Sequence, residues 1–363
     1  MFYRTARLLW AFIPIVLLSC SEDDNYIPVE EPDLISPVVF DMASVPYQTL
    51  SEYNFFEGPM ADLEPVYGVL PYDLINPLFS DYAKKKRFIW MPSDLQARYT
   101  TDHSVFNFPL GTVLIKNFYY DNVLPEGRTR ILETRVMINK PEGWVFANYV
   151  WNDDQSEAVF DLNGSFLPLE WEEDGMVKSV NYRIPAGPEC HTCHKIGEVP
   201  IPVGLKPQNL NMILNYDDGS MNQLEKFINM GYLADELPES IRTMVAWDDE
   251  SASLKDRARS YLDINCAHCH QDEAHCAYRP VRFNFDESAN DTKIGVCVEP
   301  DTDLGNGLSH IISPSNHQRS VMYFRLNTND EAVRMPLLGR TIIHQEGVDL
   351  IYDFINSLET NCQ

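Results

Sequence analysis

The chain has 363 residues, of which 44% are hydrophobic and 23% charged, and its formal net charge is −26. This length exceeds that of one small domain and fits two or three compact units, with enough apolar residues for their cores. The strong negative charge excludes binding to nucleic acid or to anionic lipid headgroups. It would suit basic protein partners, or it could serve only solubility.

The N-terminus predicts an export signal of the lipoprotein type over residues 1–19. Arg4 and Arg7 precede the apolar stretch Leu8 to Leu18, which is too short to span a membrane well. Leu17-Leu18-Ser19-Cys20 resembles a bacterial lipobox, in which the cysteine is lipidated, so we expect Cys20 to anchor the chain by acyl groups. The acidic residues 21–24 resemble the tract that directs some Bacteroidetes lipoproteins to the cell surface. The predicted location is therefore the envelope of a Gram-negative bacterium, on the periplasmic face or the outer-membrane surface.

The chain after Cys20 divides by composition. Residues 20–45 are rich in Pro, Asp, Glu and Ser, which is typical of an extended tether. Residues 46–185 contain β-branched and aromatic runs at 113–120, 130–138 and 144–151, separated by Pro-Glu-Gly turns, and predict an antiparallel β-rich domain with a helical lead-in near 78–82.

Two further units follow. Residues 186–246 form a short segment with a predicted helix from Gln223 to Tyr232. Residues 247–363 begin and end with helical patterns, the first capped at Ser253, and predict an all-α domain. The predicted fold class is therefore α+β and multidomain: a β-rich domain, a short segment and an all-α domain.

The chain contains two pentapeptides of the form C-x-x-C-H, at residues 190–194 and 266–270. This pattern marks the covalent attachment of c-type heme: the thiols add to the vinyl groups and the histidine reaches the iron. We predict two covalently bound hemes c, attached at Cys190, Cys193, Cys266 and Cys269, with His194 and His270 as iron ligands. The other motif histidines, His191 and His268, are expected only to fill the gaps.

Other interpretations of these motifs fit less well. A zinc ribbon needs its two C-x-x-C pairs about 15 to 20 residues apart, and here they are much further apart in sequence. A redox disulfide remains open for either cysteine pair taken alone, because the chain carries an export signal.

Arg334-Met335-Pro336 lies between the second motif and the closing helical pattern. A methionine in a proline-containing loop can offer its thioether to iron, and His/Met ligation raises the reduction potential. We predict Met335 as the second ligand opposite His270; the alternative is a core methionine. Helix, C-x-x-C-H, Met-Pro loop and helix in this order resemble class I cytochrome c.

A wider resemblance covers most of the mature chain. Five segments look like those of an uncharacterised family of bacterial diheme c-type cytochromes, here represented by a lipoprotein member: 78–83, 108–112, 133–135, 258–262 and 265–270. This resemblance implies two hemes and does not indicate the electron donor or acceptor.

The second ligand of the first iron cannot be identified from the sequence. The residues before Cys190, 182–188, are expected to be extended, which departs from the class I pattern. An open position, which could bind a small molecule such as peroxide, is one option. The other candidates are Met212, Met221, Met230, His103 and Met137.

The remaining cysteines predict one disulfide. Cys276 and Cys297 flank the same loop, and free cysteines are rare in exported proteins, so we expect these two to pair. Cys362 is then left over, either free or bonded to one of them.

Three functions follow from these observations. The first is an envelope-tethered diheme cytochrome that carries single electrons between redox proteins, rather than an enzyme with its own substrate. The second is an oxidoreductase, similar to a diheme peroxidase, with an open site at the first heme. The third is a binding module in which the β-rich domain recognises a partner. The sequence leaves the oligomeric state open.

Overall fold

The structure, a computed structural model, describes residues 35–305 and 307–362. The signal segment, Cys20 and the first part of the tether lie outside these residues. Within the described ranges, no helix combines the length and the apolar character needed to cross a membrane.

Strands dominate the part of the chain before the first motif, as the β-branched and aromatic runs predict. The described strands are β1 (Phe56–Glu57), β2 (Glu64–Pro65), β3 (Leu70–Tyr72), β4 (Lys84–Trp90), β5 (Val113–Val123), β6 (Arg128–Lys140), β7 (Gly143–Trp151), β8 (Ala158–Phe160), β9 (Ser165–Glu173), β10 (Met176–Ile184), β11 (Lys195–Ile196), β12 (Val199–Pro200), β13 (Ile213–Tyr216) and β14 (Gly219–Asn222).

Eight of these strands form one antiparallel sheet. Its order is β10-β9-β5-β6-β7-β8, and β4 pairs with β5 and also with β3. The three predicted runs are β5, β6 and β7, so this part of the prediction is confirmed. One face of the sheet packs Val113, Ile115 and Val136 against the chain before β3. The opposite face contributes Ile89 and Leu114 to a second core shared with the segment after the first motif.

The described helices are α1 (Gly187–Cys193), α2 (Pro207–Leu210), α3 (Gln223–Asn229), α4 (Leu254–Leu262), α5 (Asp291–Ile294), α6 (Val321–Leu326) and α7 (Gln345–Ser357). The Ser253 side chain caps α4 by accepting a hydrogen bond from the Asp256 N–H, as the sequence predicts. Helices α4 and α7 pack together and bury Tyr261, Ile351 and Ile355.

The predicted all-α C-terminal domain is wrong. Helices α4 to α7 contain 9, 4, 6 and 13 residues, and most of the chain between them is turn and loop. These helices and the loops between them bury a core of their own, and the start of α7 also contacts the chain before β4. The His344 ring stacks on Phe79 with centroids 4.1 Å apart. From Ile35 onward the chain forms one β-rich unit with short helices, and the boundaries near 185 and 246 stay predictions.

Two local predictions also need correction. Residues 78–82 form no helix, because Asp81 and Tyr82 adopt left-handed backbone conformations with φ of 53° and 63°. The Asp81 carboxylate accepts hydrogen bonds from the N–H groups of Thr341 and Ile342 at 2.7 and 3.0 Å. The extended stretch predicted before Cys190 ends with β10 at Ile184, and α1 then begins at Gly187. Pro188 is compatible with this start because the first turn of a helix needs no N–H from it.

The predicted disulfide is wrong as well. Cys297 pairs with Cys362, and Cys276 is free and buried. The chain end returns along α7 to the loop that carries Cys297, where Ser315 Oγ donates a 2.5 Å hydrogen bond to the carbonyl of Leu358. Proximity in sequence favoured Cys276, whereas the packing of the last helix decides the pairing.

Candidate cofactor site

The two C-x-x-C-H motifs share one main-chain hydrogen bond, from the histidine to the first cysteine. The N–H of His194 donates to the carbonyl of Cys190 at 2.9 Å, and that of His270 donates to the carbonyl of Cys266 at 3.0 Å. The first motif forms the end of α1, whereas the second follows α4 through a π-helical turn over Asp263–Ala267. Such turns occur often at functional sites.

The two motifs touch each other although they are far apart in sequence. The Cys269 thiol donates to the carbonyl of Thr192 at 3.5 Å. Donor atoms of Cys193, His268 and Cys269 all lie within 4.8 Å of one another. Any groups held by the two motifs would therefore lie side by side.

The second motif opens into a largely apolar cavity, which we name cavity A. It encloses about 1060 Å³ including its mouth, and it is lined by Cys266, Cys269, His270 and Met335, together with Val281, Phe283, Met322 and Leu326. The sequence predicts Met335 opposite His270, and the structure brings both residues to the same cavity. The His270 ring lies 5.2 Å from that of Phe283, centroid to centroid.

The first motif opens into a larger space, cavity B, of about 1750 Å³ including its mouth. Cys190, Cys193 and His194 line one side, and the sheet face with Met137 and Phe146 lines another. The Phe146 ring lies 5.2 Å from that of His194. Cavities A and B share six lining residues, namely Cys193, Asn265, His268, Leu326, Pro336 and Leu338.

Of the five candidate ligands for the first iron, only Met137 lines cavity B among the described residues. His103 is half exposed and points to Asp286, with Nε2 and Oδ2 3.9 Å apart. The thioether of Met221 accepts from Asn229 at 3.3 Å, outside both cavities. Met212 and Met230 line neither cavity.

The histidine that ends each motif is held neutral. Burial lowers the pKa of His194 to about 4, and burial together with nearby positive charge does the same to His270. His194 Nδ1 lies 3.0 Å from the carbonyl of Ile201, which fixes its proton there and leaves Nε2 unprotonated. His270 Nδ1 is buried without a hydrogen-bond partner among the described residues. A neutral imidazole with a free nitrogen is the form that binds a metal.

The surroundings raise the pKa of three of the motif cysteines and lower that of Cys193. Burial raises the pKa of Cys190, and it raises that of Cys266 to about 12. Cys193 and Cys269 behave as a pair that shares a proton: hydrogen bonds from Cys269 and His268 lower the pKa of Cys193, and the same contact raises that of Cys269.

The methionine loop of cavity A is fixed by its main chain. The N–H of Met335 donates to the carbonyl of Arg325 at 2.9 Å, and its carbonyl accepts from Arg340 Nε at 3.1 Å. The buried Arg340 guanidinium also donates to the carbonyls of Arg325, Leu326, Thr328 and Ile342. Arg340 therefore determines where the Met335 loop lies.

Several site residues escape prediction from the sequence. His268, expected only to fill a gap, is buried between the two motifs, and its Nδ1 has no partner among the described residues. Lys116 and Asn148 line cavity B from the sheet, and the alternation of side chains along a strand could have suggested a polar patch there. By contrast, four of the five segments singled out in the sequence, 78–83, 133–135, 258–262 and 265–270, do contribute to the lining of cavity B, for example through Asp81 and Arg135.

No protein-family model, no curated protein and no solved structure matches this chain.

The residues present fit heme c at both motifs. Each cavity combines two thiols, an adjacent neutral imidazole and a methionine with mostly apolar walls, which is the donor set of His/Met-ligated heme. The unpartnered Nδ1 atoms of His268 and His270 are buried polar groups that the chain alone leaves unsatisfied.

Proposed function

We propose that this protein is a diheme c-type cytochrome that carries single electrons at the bacterial envelope. The observation that carries the proposal is the pair of C-x-x-C-H motifs, each opening into its own cavity, with a methionine lining the same cavity. Heme, when bound, supplies an iron that changes its charge by one electron. This function also agrees with the resemblance to diheme cytochromes.

Each residue has a defined role in the proposal. Cys190 and Cys193 hold the first heme and Cys266 and Cys269 the second, while His194 and His270 bind the irons through Nε2. The carbonyl of Ile201 orients the His194 ring by accepting the Nδ1 proton. Met335 is the second ligand in cavity A, and Met137 is the proposed second ligand in cavity B.

The contact between the motifs supports electron exchange inside the chain. Because Cys193 and Cys269 lie within 4.8 Å together with His268, the two attached groups would approach each other at their thioether edges. Electrons could then enter at one cavity and leave at the other, without a third cofactor between them.

Partners and location follow from charge and the N-terminal signal. A net charge of −26 favours basic redox proteins as donor or acceptor. Lipidation at Cys20 would hold the chain on the periplasmic face or on the outer-membrane surface. Labelling with radioactive palmitate should mark the wild type and not Cys20→Ala, and equal labelling would exclude this anchor.

The cofactor count tests the main proposal. Expressed together with a cytochrome c maturation system, the protein should carry two hemes by the pyridine hemochrome assay and by intact mass. The double substitutions Cys190→Ala/Cys193→Ala and Cys266→Ala/Cys269→Ala should each remove one heme. Cys276→Ala is the matched control, since this buried thiol lines cavity A outside both motifs and should keep both hemes. A wild type without covalent heme would overturn the proposal.

A second candidate rests on the cluster of Cys193, His268 and Cys269. Two cysteine sulfurs and an imidazole with donor atoms within 4.8 Å form a donor set typical of zinc or copper, which would displace the thiol protons on binding. On this hypothesis the chain would carry one metal ion bridging the motifs and no heme. Metal analysis of the same preparation separates the candidates: about one zinc or copper per chain with no heme absorption would favour the second.

A further inference from the structure

Four polar residues form a row across the sheet face that lines cavity B. Arg87 on β4 is opposite Lys116 on β5, Lys116 is opposite Arg135 on β6, and Arg135 is opposite Asn148 on β7. Residues directly opposite each other project from the same face, with Cβ atoms about 5 Å apart. Lys116, Arg135 and Asn148 all line the cavity that contains Cys190 and His194.

The two arginines of the row each pair with one carboxylate. Arg87 is 3% exposed and pairs through Nη1 with Asp73, but its Nε and Nη2 atoms have no partner among the described residues. Arg135 donates through Nε to Glu133 at 3.1 Å and forms an ion pair with it through Nη2. The two carboxylates near the row, those of Asp73 and Glu133, therefore pair with its two arginines.

Lys116 is the basic residue of the row that lacks a carboxylate partner among the described residues. Its ammonium group makes no ion pair or hydrogen bond among the described residues and lies 4.8 Å from the centroid of the Phe118 ring. Asn148 beside it is 4% exposed, and neither its amide nitrogen nor its amide oxygen has a partner in this part of the chain. Buried polar groups are almost always hydrogen-bonded, and an ammonium group in a cavity wall without an ion-pair partner attracts an anion, so the partly buried Lys116 and the buried Asn148 favour an anionic ligand at this point of the cavity.

We propose that Lys116 and Asn148, flanked by Arg135, form a binding site for a carboxylate group inside cavity B. The Lys116 ammonium would donate to one carboxylate oxygen and the Asn148 amide to the other. Burial and the positive charges of Arg87, Lys85 and Arg135 hold the pKa of Lys116 well below its usual range, and a bound carboxylate would relieve that repulsion.

The carboxylate has two possible sources with the same chemistry. One is a propionate group of the heme attached at Cys190 and Cys193, and in this case the inference rests on the proposed function. The other is a small free carboxylate that enters through the open mouth of the cavity. In this case the first heme would be the site at which the protein binds a substrate.

Lys116→Met tests both sources in the heme-loaded protein. If a propionate is bound, the reduction potential of one heme should fall and that of the other should stay unchanged, because the variant removes a positive charge beside one cofactor. If a free carboxylate is bound, acetate should stabilise the wild type against heat in a saturable way at constant ionic strength, and its apparent affinity should fall at least tenfold in the variant.

Further variants make the outcome decisive. Asn148→Leu should weaken the same readout, and Lys116→Arg should retain it if the loss comes from charge rather than misfolding. Lys255→Met is the matched control, since Lys255 is exposed and pairs with Asp291 on the protein surface. Unchanged potentials together with no acetate effect in the wild type would overturn the site. If the protein carries no heme, the proposed function fails, and calorimetric titration of acetate into the heme-free chain still decides the carboxylate site.

Discussion

The guanidinium of Arg340 donates a 3.1 Å hydrogen bond to the carbonyl of Met335, and it binds four further carbonyls around the same loop. Arg340 is only 4% exposed, so its removal leaves several buried carbonyls without a donor. Each such group costs about 1–3 kcal/mol.

Arg340→Met should therefore destabilise the protein by more than about 3 kcal/mol and release the Met335 loop. Denaturant unfolding would measure the loss, and the low-spin spectrum of one heme should weaken in parallel. Arg334→Met is the matched control: Arg334 is also buried but pairs only with the exposed Glu331, so its loss should cost less. Equal effects of the two substitutions would contradict the positioning role of Arg340.

Met335→Ala should convert one heme from low spin to high spin and leave the other unchanged, because it removes one proposed thioether ligand. Electron paramagnetic resonance of the oxidised protein would detect the change. Met322→Ala is the control, since Met322 is buried in the same cavity as a core residue. Two intact low-spin signals in Met335→Ala would show that Met335 is not a ligand.

Met137→Ala distinguishes a closed first heme from an open one. If Met137 binds the first iron, the wild type should resist carbon monoxide at this heme and the variant should bind it readily. A wild type that already binds carbon monoxide, with the same spectrum as the variant, would favour the oxidoreductase with an open site.

Stability should depend on pH through His344. This residue is 11% exposed, its Nδ1 is 3.1 Å from the Tyr261 hydroxyl, and its pKa is lowered to about 4, mainly by burial. The folded state therefore binds fewer protons than the unfolded state between about pH 6.5 and 4. The stabilisation from His344 is fully present above that window and is lost as the pH falls through it, by about 1.4 kcal/mol per unit of pKa shift.

His344→Phe keeps an aromatic ring beside Phe79 and removes the titrating group. Denaturant unfolding at pH 7 and at pH 4.5 should show a smaller difference for this variant than for the wild type. An identical difference in both proteins would mean that His344 is already protonated in the folded state.

The Cys297–Cys362 disulfide should stabilise the protein by closing a long loop. Cys297→Ser/Cys362→Ser should lower the free energy of unfolding by up to about 4 kcal/mol, the loop-entropy value for this separation, whereas Cys276→Ser should not remove a crosslink. Peptide mapping without reduction should recover Cys297 and Cys362 in one linked peptide. A linked pair containing Cys276 would contradict the structure.

The sequence predicts the strands well and the C-terminal part poorly. Strands β5 to β7 follow from β-branched and aromatic runs between turns, which are local signals. The packing of α4 on α7, and the contact between the loop before α7 and the loop before β4, depend instead on long-range contacts, such as that of Asp81 with Thr341, and a helical pattern cannot reveal these. For the same reason the sequence favours Cys276 over Cys362 as the partner of Cys297.

The residues of the candidate site also fall into those that the sequence predicts and those that it does not. The C-x-x-C-H motifs and the Met-Pro loop are contiguous and can be recognised directly, and Met335 does reach the cavity of His270. Lys116, Asn148 and His268 become notable only when β5, β7 and the second motif are brought together. These side chains stand out because they lack hydrogen-bond or ion-pair partners among the described residues, and a sequence alone does not show which side chains are left unpaired.

The hydrogen bond from Cys269 to Thr192 joins the two motifs directly. Their four thiols are partly buried, and cavities A and B have six lining residues in common. A group attached at one motif would therefore form part of the surroundings of the other. In a chain loaded at a single motif, the remaining heme should differ in absorption spectrum and reduction potential from the same heme in the fully loaded protein.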